Sequence, residues 1–317
     1  MPKAWGACMN TTAVVLERPG QLALSRIALT EPGDDDLVVE IAWSGISTGT
    51  ERLLWSGRMP EFPGMGYPLV PGYESVGRVV AARGRNERRV GETVFVPGAR
   101  CYGEVRGLFG GAASRIVLPA ERAVRLDPAV GERGVLLALA ATARHAIAGG
   151  VPELVVGHGV LGRLIARLSA SVGAPPTVWE SDATRREGGA GYAVIDPQAD
   201  TKRDYHRICD VSGDASLIDT LISRLAPGGE IVLAGFYDQP LSFAFPPAFL
   251  REARLRVAAQ WQASDLADVA ERVASGRLSL DGLITHHAAA EQADTAYRTA
   301  FGDAACLKMV LDWRPMQ

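Results

Sequence analysis

Cysteine is scarce in this chain. Four occur in 317 residues, at Cys8, Cys101, Cys209 and Cys306, roughly a hundred residues apart and without a C-x-x-C pair. Such spacing supports neither a zinc framework nor a disulfide scaffold, and it fits a reducing cytoplasm. Long apolar runs are missing as well. Nothing approaches the ~18 residues of a membrane span, and the N-terminus shows neither the charged head nor the apolar block of a secretory signal. An excess of one charge is also lacking: the formal net charge is −3, so neither nucleic acid nor an anionic membrane is an expected partner. No internal repeat or low-complexity tract appears. What is there is a hydrophobic content of 47% against 22% charged residues. That is the profile of a soluble globular protein long enough for two domains.

The most informative stretch present is Leu154-Val155-Val156-Gly157-His158-Gly159-Val160-Leu161-Gly162. Three apolar β-formers lead into G-x-G-x-x-G, and Leu161, Leu164, Ile165, Leu168 and Val172 follow at helical spacing. In this setting the first glycine permits the tight turn, the second lets the backbone approach a pyrophosphate, and the third lets helix and strand pack closely. The helix N-terminus offers unpaired N–H groups to phosphate. A second strand, Thr177-Val178-Trp179, ends in Glu180, at the distance expected of an acid that holds a ribose hydroxyl. Strand, glycines, helix, strand and acid in that order predict a dinucleotide site. Its expected contacts are Gly157, Gly159, Val160, Leu161, Gly162 and Glu180, joined by Arg185, Thr142, Ser212 and Gly235. A carboxylate at Glu180 favours NAD by repelling a 2′-phosphate, while Arg185 and Arg186 argue the other way. His158 is expected to matter through its backbone, and His145 through helix packing.

The first ~125 residues read as β-rich. Short β-prone runs at Ala13–Leu16, Leu37–Trp43, Ser75–Ala81, Thr93–Val96 and Ser114–Leu118 are separated by glycine, proline and charge clusters. The basic cluster Arg83–Arg89 reads as a surface loop. From about Gly131 strands and helices alternate, with strands at Leu154–Val156, Thr177–Trp179, Tyr192–Ile195, Ile208–Val211, Glu230–Ala234 and Leu255–Ala259. This pattern predicts an α/β fold with a doubly wound parallel sheet. Pro227-Gly228-Gly229 should end a helix over Ile218–Leu225, and Ser264 should cap another. Asp294–Phe301 reads as helix and Leu307–Asp312 as strand, either completing the sheet or folding back on the N-terminal part. The expected divisions are 1–130, 131–263 and 264–317.

These landmarks, together with Gly45-Ile46-Ser47, Pro71-Gly72-Tyr73-Glu74-Ser75-Val76-Gly77, Thr142-Ala143-Arg144-His145-Ala146 and Leu225-Ala226-Pro227-Gly228-Gly229, resemble the medium-chain dehydrogenase/reductase superfamily. The resemblance implies a GroES-like β-rich domain, then a Rossmann domain, then a tail returning to the first. It also exposes departures. Where zinc-dependent members carry Cys and His, this chain has Ser47 and Tyr73. The region of a third ligand reads Leu137-Ala138-Leu139-Ala140-Ala141, and the cysteine-rich structural-zinc lobe is missing. A catalytic zinc takes about three protein ligands, and only Glu74 survives as a good donor, so no metal is expected. More narrowly, GISTGTERLLWSGRMPEFPGMGYPLVPGYESVGRV from Gly45 to Val79, and the tail from Ile284 to Trp313, resemble the dehydrogenases of bacteriochlorophyll synthesis. That family oxidises the 3-(1-hydroxyethyl) group of a chlorophyllide-type tetrapyrrole to acetyl.

The resemblance implies an NAD-dependent alcohol dehydrogenase with a tetrapyrrole substrate. Without a metal, a hydrogen-bonding side chain must take the alcohol proton. Tyr73 is the expected base or polariser, its phenol lowered by the nicotinamide charge, with Ser47, Thr48 and Glu74 as relay; the opposing reading is that Tyr73 only packs. The loop carrying Trp55, Met59, Phe62, Met65 and Tyr67 is expected to face the planar substrate. Phe236, Tyr237, Phe243, Phe245, Phe249 and Trp261 suit either an opposite wall or a homodimer contact. The rival readings are a zinc-free NADPH-dependent quinone or enoyl reductase, and a non-catalytic dinucleotide-binding protein.

Overall fold

The computed structural model describes residues 9–316, so Cys8 lies outside the described residues. The chain forms two compact units, one of residues 1–138 with 284–317 and one of residues 139–283. The boundaries expected at 130/131 and 263/264 are therefore displaced. The second shifts because the helix beginning at Ala263 is tied into the second unit, where Asp265 bonds His145 at 2.8 Å and Asp268 bonds Arg144 at 2.8 Å.

The first unit is built on β1 (Asn10–Arg18), β2 (Gln21–Ala28), β3 (Asp36–Ile46), α1 (Thr50–Ser56), β4 (Leu69–Val70), β5 (Ser75–Ala82), β6 (Thr93–Val96), β7 (Arg106–Gly107), β8 (Arg115–Pro119) and β9 (Val124–Arg125). After α2 (Leu137–Ala146), the second unit contributes β10 (Leu154–Val156), α3 (Val160–Ser171), β11 (Thr177–Trp179), β12 (Ala193–Ile195), β13 (Tyr205–Asp210), α4 (Ile218–Arg224), β14 (Leu225–Leu233), α5 (Phe245–Leu250), β15 (Arg254–Val257) and α6 (Ala263–Ala274). The tail adds β16 (His286–Ala289), α7 (Ala293–Gly302) and β17 (Met309–Asp312).

In the first unit one sheet runs β2-β1-β4-β7, and a second runs β16-β17-β3-β5-β6-β9 with β8 also on β3. The tail thus completes this unit: β17 lies antiparallel to β3, with Met309 opposite Ile46. β2 escapes the sequence reading because its Gln21–Ala28 face is only half-buried and lacks a β-branched run. Gly20, at φ 73, makes the turn that folds it back on β1. Alternating inward residues such as Val14, Val39, Ile41, Val79 and Val94 fill a core shared with Tyr297 and Trp313 of the tail.

The second unit is a parallel sheet in the order β12-β11-β10-β13-β14-β15. Its central strands are apolar runs buried on both faces, as parallel sheets require. Three local expectations change here. Pro227-Gly228-Gly229 does not stop a helix but lies within β14, where pairing jumps from Leu225 opposite Tyr205 to Glu230 opposite Arg207, so the turn residues form a bulge. α6 is capped by Gln262 in a reciprocal pair with Asp265, not by Ser264. Val172 is 59% exposed at the end of α3, and the buried arc of that helix includes Arg163 instead.

Candidate functional site

Two constellations gather the candidate site residues, one in each unit. In the second unit β10 runs straight into the glycine turn. Gly157 sits at φ 105, where an L side chain is strained, and a Cβ on Gly162 would stand 1.9 Å from the Gly157 carbonyl oxygen. Gly159 is different: a Cβ there would meet nothing within 4 Å. It caps α3, whose first residues are Val160 and Leu161, so open space lies where their N–H groups are presented. The cradle therefore fits a dinucleotide phosphate. At the end of β11, Glu180 accepts hydrogen bonds from the main-chain N–H of His158 at 3.1 Å and of Asp182 at 2.9 Å. Ser212 and Gly235 follow β13 and β14 at the same carboxyl edge of the sheet. Asp210 fixes Ser212 through its N–H at 2.9 Å and its hydroxyl at 2.7 Å, and Gly235 packs against the Gly213 backbone. Thr142 stands half-buried on α2. Arg185 takes part through its carbonyl, which accepts from His158 Nδ1 at 2.6 Å. His158 therefore contributes through its ring as well as through the backbone expected of it. Its ring is fully buried, bonded also to the Tyr192 hydroxyl at 3.0 Å.

In the first unit, strand pairing assembles a buried polar cluster. β3 ends at Ile46; β5 pairs with it from Ser75 opposite Ser44, and β17 pairs on its other side. Ser47, Tyr73–Glu74 and Lys308 flank those strand ends and are brought together by this register. The Tyr73 hydroxyl lies 2.7 Å from Ser47 Oγ and 3.4 Å from Thr50 Oγ1. Thr50, at the start of α1, thus stands beside the phenol, two residues from the Thr48 singled out in the sequence. Lys308 donates to Glu74 Oε2 at 2.6 Å and to the Ile46 carbonyl at 3.2 Å, with both side chains no more than 1% exposed. Glu74 Oε1 is buried and has no partner among the described residues. A Cβ on Gly45 would come within 2.4 Å of the Glu74 carboxylate, which is why glycine precedes Ile46. Glu51, fully buried, accepts from the Ser47 N–H at 3.0 Å and from the Tyr297 hydroxyl at 2.5 Å.

Burial raises the Glu51 carboxyl to about 7, its two hydrogen bonds opposing the shift. Burial likewise raises Glu74, against the pull of Lys308. The Tyr73 phenol is pushed up by burial and by the neighbouring Glu74 carboxylate. Both leading influences from the protein itself disfavour the phenolate, so the lowering expected of Tyr73 would have to come from the bound nicotinamide. Nor does the donor set suit zinc. Glu74, the one good ligand, is already neutralised by a buried ammonium that would repel a second cation.

The aromatic loop also differs from expectation. Met59 is buried with Leu16, Leu53, Leu54, Leu69 and Leu108, and Met65 and Tyr67 pack against that cluster. The Tyr67 hydroxyl donates to the Leu54 carbonyl. Trp55 lies against Tyr297 and Phe301 of α7, each 6.2 Å away, with Arg298 over its ring at 5.2 Å. Of the five, only Phe62, 36% exposed, presents much of its ring to solvent. The others build a small apolar core beneath the loop, because proline and glycine break the segment and let its side chains fold inward. Glu51, Thr50, Lys308, Tyr297 and Arg163 were not singled out in the sequence. The one available signal was rarity: Lys308 is one of three lysines in the chain.

Comparison with known proteins agrees with this architecture. Residues 33–128 match the alcohol dehydrogenase GroES-like domain. The 2-desacetyl-2-hydroxyethyl bacteriochlorophyllide A dehydrogenase of Rhodobacter capsulatus is 58% identical over 311 residues, covering 96% of this chain and 99% of that protein. The protein of the same name from Cereibacter sphaeroides is also 58% identical, over 315 residues with the same coverage. Among solved structures, an Escherichia coli alcohol dehydrogenase complexed with NADH superposes with a TM-score of 0.83 at 22% identity, covering 96% of this chain and 99% of that one. A Sinorhizobium meliloti dehydrogenase bound to NADP gives 0.79 at 20% identity, covering 96% and 99%. Glycine turn, parallel sheet, β-rich unit and near-complete alignment with two dehydrogenases lead to one assignment: the chain belongs to the medium-chain dehydrogenase/reductase superfamily, in the family of those bacteriochlorophyllide dehydrogenases, and is an oxidoreductase acting on CH–OH.

Proposed function

We propose that this chain is an NAD-dependent dehydrogenase that oxidises the hydroxyethyl side chain of a bacteriochlorophyllide-type tetrapyrrole to acetyl, without a metal. The observation that carries the substrate is the 58% identity over 96% of the chain to proteins named for that reaction. The glycine turn with α3 would hold the pyrophosphate and Glu180 the adenosine ribose, and bound nicotinamide supplies the hydride acceptor. Tyr73 and Ser47 then serve the alcohol. Their hydroxyls share one hydrogen bond of 2.7 Å, so Tyr73 can take the carbinol proton while passing its own to Ser47, which in turn releases its hydroxyl proton to water, with Thr50 alongside and no lasting phenolate. Lys308 holds Glu74 and leaves its second oxygen unpaired among the described residues. Glu51 orients Ser47 by binding its N–H. Thr48 is retained only as a neighbour of this group, and Phe62, exposed on the loop, is the residue we assign to the pigment. A homodimer is supported by apolar exposure on the second unit, where Phe245, Phe249 and Val257 are 68%, 66% and 75% exposed.

The test is turnover. The purified chain, given NAD and a hydroxyethyl bacteriochlorophyllide, should produce NADH and shift the pigment spectrum to that of the acetyl product. Turnover only with NADP(H), or reduction of a quinone or enoyl substrate in place of alcohol oxidation, would replace this reading.

A further inference from the structure

The segment from Ser181 to Tyr192 links β11 to β12 and carries one short 3-10 turn at Ala183–Arg185. Most of it is exposed, and it contains Gly188, Gly189 and Gly191. Its own sequence ties the short turn, where Asp182 accepts from the N–H and hydroxyl of Thr184. Yet its carbonyls converge on one buried side chain. Arg163, 5% exposed in the first turn of α3, donates from Nη2 to the carbonyls of Arg185 at 3.1 Å and Glu187 at 2.8 Å, and from Nη1 to that of Gly188 at 3.1 Å. Its Nε reaches the carbonyl of His158, in the glycine turn, at 3.0 Å. A planar guanidinium with five N–H donors can serve two pieces of backbone at once, and an ammonium cannot do so with the same geometry. His158 adds a second tie to the Arg185 carbonyl through Nδ1, while its Nε2 meets the Tyr192 hydroxyl at the far end of the segment.

Glu180 stands between the two pieces so joined. One carboxylate oxygen is held by the N–H of His158 in the turn, the other by the N–H of Asp182 in the segment. The segment also carries the two arginines able to answer a 2′-phosphate: the Arg185 main chain is tied through its carbonyl, and the Arg186 guanidinium is engaged separately by Asp196. We propose that Arg163 and His158 are positioning residues for cofactor selection: they clamp the 181–192 segment to the glycine turn, fixing the Glu180 carboxylate toward the ribose and keeping Arg185 and Arg186 from a nucleotide 2′-phosphate. A carboxylate that cannot turn aside repels the added phosphate, whereas a loosened segment would let it retreat and let the arginines approach. This rests on the reading that the chain uses NAD.

Two variants test the clamp from opposite sides. Arg163→Lys keeps the charge but loses the fork. Gly188→Ala places a Cβ 2.5 Å from Arg163 Nη1, at an exposed position with φ 80, and disturbs the same joint from the segment side. Dissociation constants for NAD and NADP, titrated by calorimetry against the native protein, give the ratio that matters. The proposal expects the preference for NAD to fall at least tenfold in each variant that folds, with faster amide hydrogen exchange over residues 181–192. A clamp with a merely structural role would weaken both cofactors in parallel and leave the ratio unchanged, which would overturn the proposal while the NAD reading stands. A native protein that binds NADP as tightly as NAD would overturn the NAD reading itself, and the selection role with it.

Discussion

Tyr73→Phe removes one hydroxyl and little volume. Because that hydroxyl bonds Ser47 and lies beside Thr50, kcat should fall about 100-fold or more, the range of a lost acid–base group. NAD affinity should persist, since the residues assigned to the nucleotide belong to the other compact unit. Steady-state kinetics with a binding titration check this; unchanged turnover would reduce Tyr73 to packing. Glu51 offers a pH test. Its folded carboxyl is raised from 4.5 to about 7, so the folded state holds this proton where the unfolded chain releases it. The stability it contributes is present below about pH 4.5 and is lost as pH rises through about 7. Glu51→Gln removes that titration, and its melting temperature should gain on the native protein between pH 5 and 8. Parallel melting curves across that range would contradict the assignment. Tyr73 and Glu74 were legible in the sequence because they replace or retain residues of a known motif. Glu51 was not, since a glutamate in the first turn of a helix is ordinary until tertiary packing buries it.

At the scale of elements, β17 brings Lys308 to Glu74 across β3. Lys308→Met strands a buried carboxylate and should cost about 3–5 kcal/mol, whereas the Lys308→Met/Glu74→Gln pair should recover much of that loss. Denaturant unfolding of both variants decides it; equal losses would mean that the charge pair is not the source of the cost. Trp55→Ala is now a packing experiment, because the ring contacts Tyr297, Phe301 and Arg298 of α7. We expect about 2–4 kcal/mol of destabilisation for this partly buried ring, read as a lower unfolding midpoint. An unchanged midpoint with a raised KM for pigment would restore the ring to the substrate site. Strand identity was legible where apolar runs were bounded by turns, as at β6, β10 and β11. The β14 bulge, the Gln262 cap and the partners of Trp55 were not, because each depends on which distant segment arrives beside it.

For the whole molecule, the parallel sheet and its glycine turn were readable because a nucleotide cradle constrains consecutive residues. The polar cluster draws instead on segments more than two hundred residues apart, so only Ser47, Tyr73 and Glu74 among its members could be named from sequence. The proposed reaction passes a hydride to NAD and a proton through the protein's own side chains, with no metal. Its most direct test is the stoichiometry of a single reaction. Chelator-treated protein is incubated with excess NAD and a limiting amount of hydroxyethyl bacteriochlorophyllide, and NADH absorbance and acetyl pigment are measured together. One NADH should form per acetyl group, at a rate unaffected by chelation. Acetyl product that forms only after zinc is restored, or pigment left unconverted while NAD binds, would contradict the account.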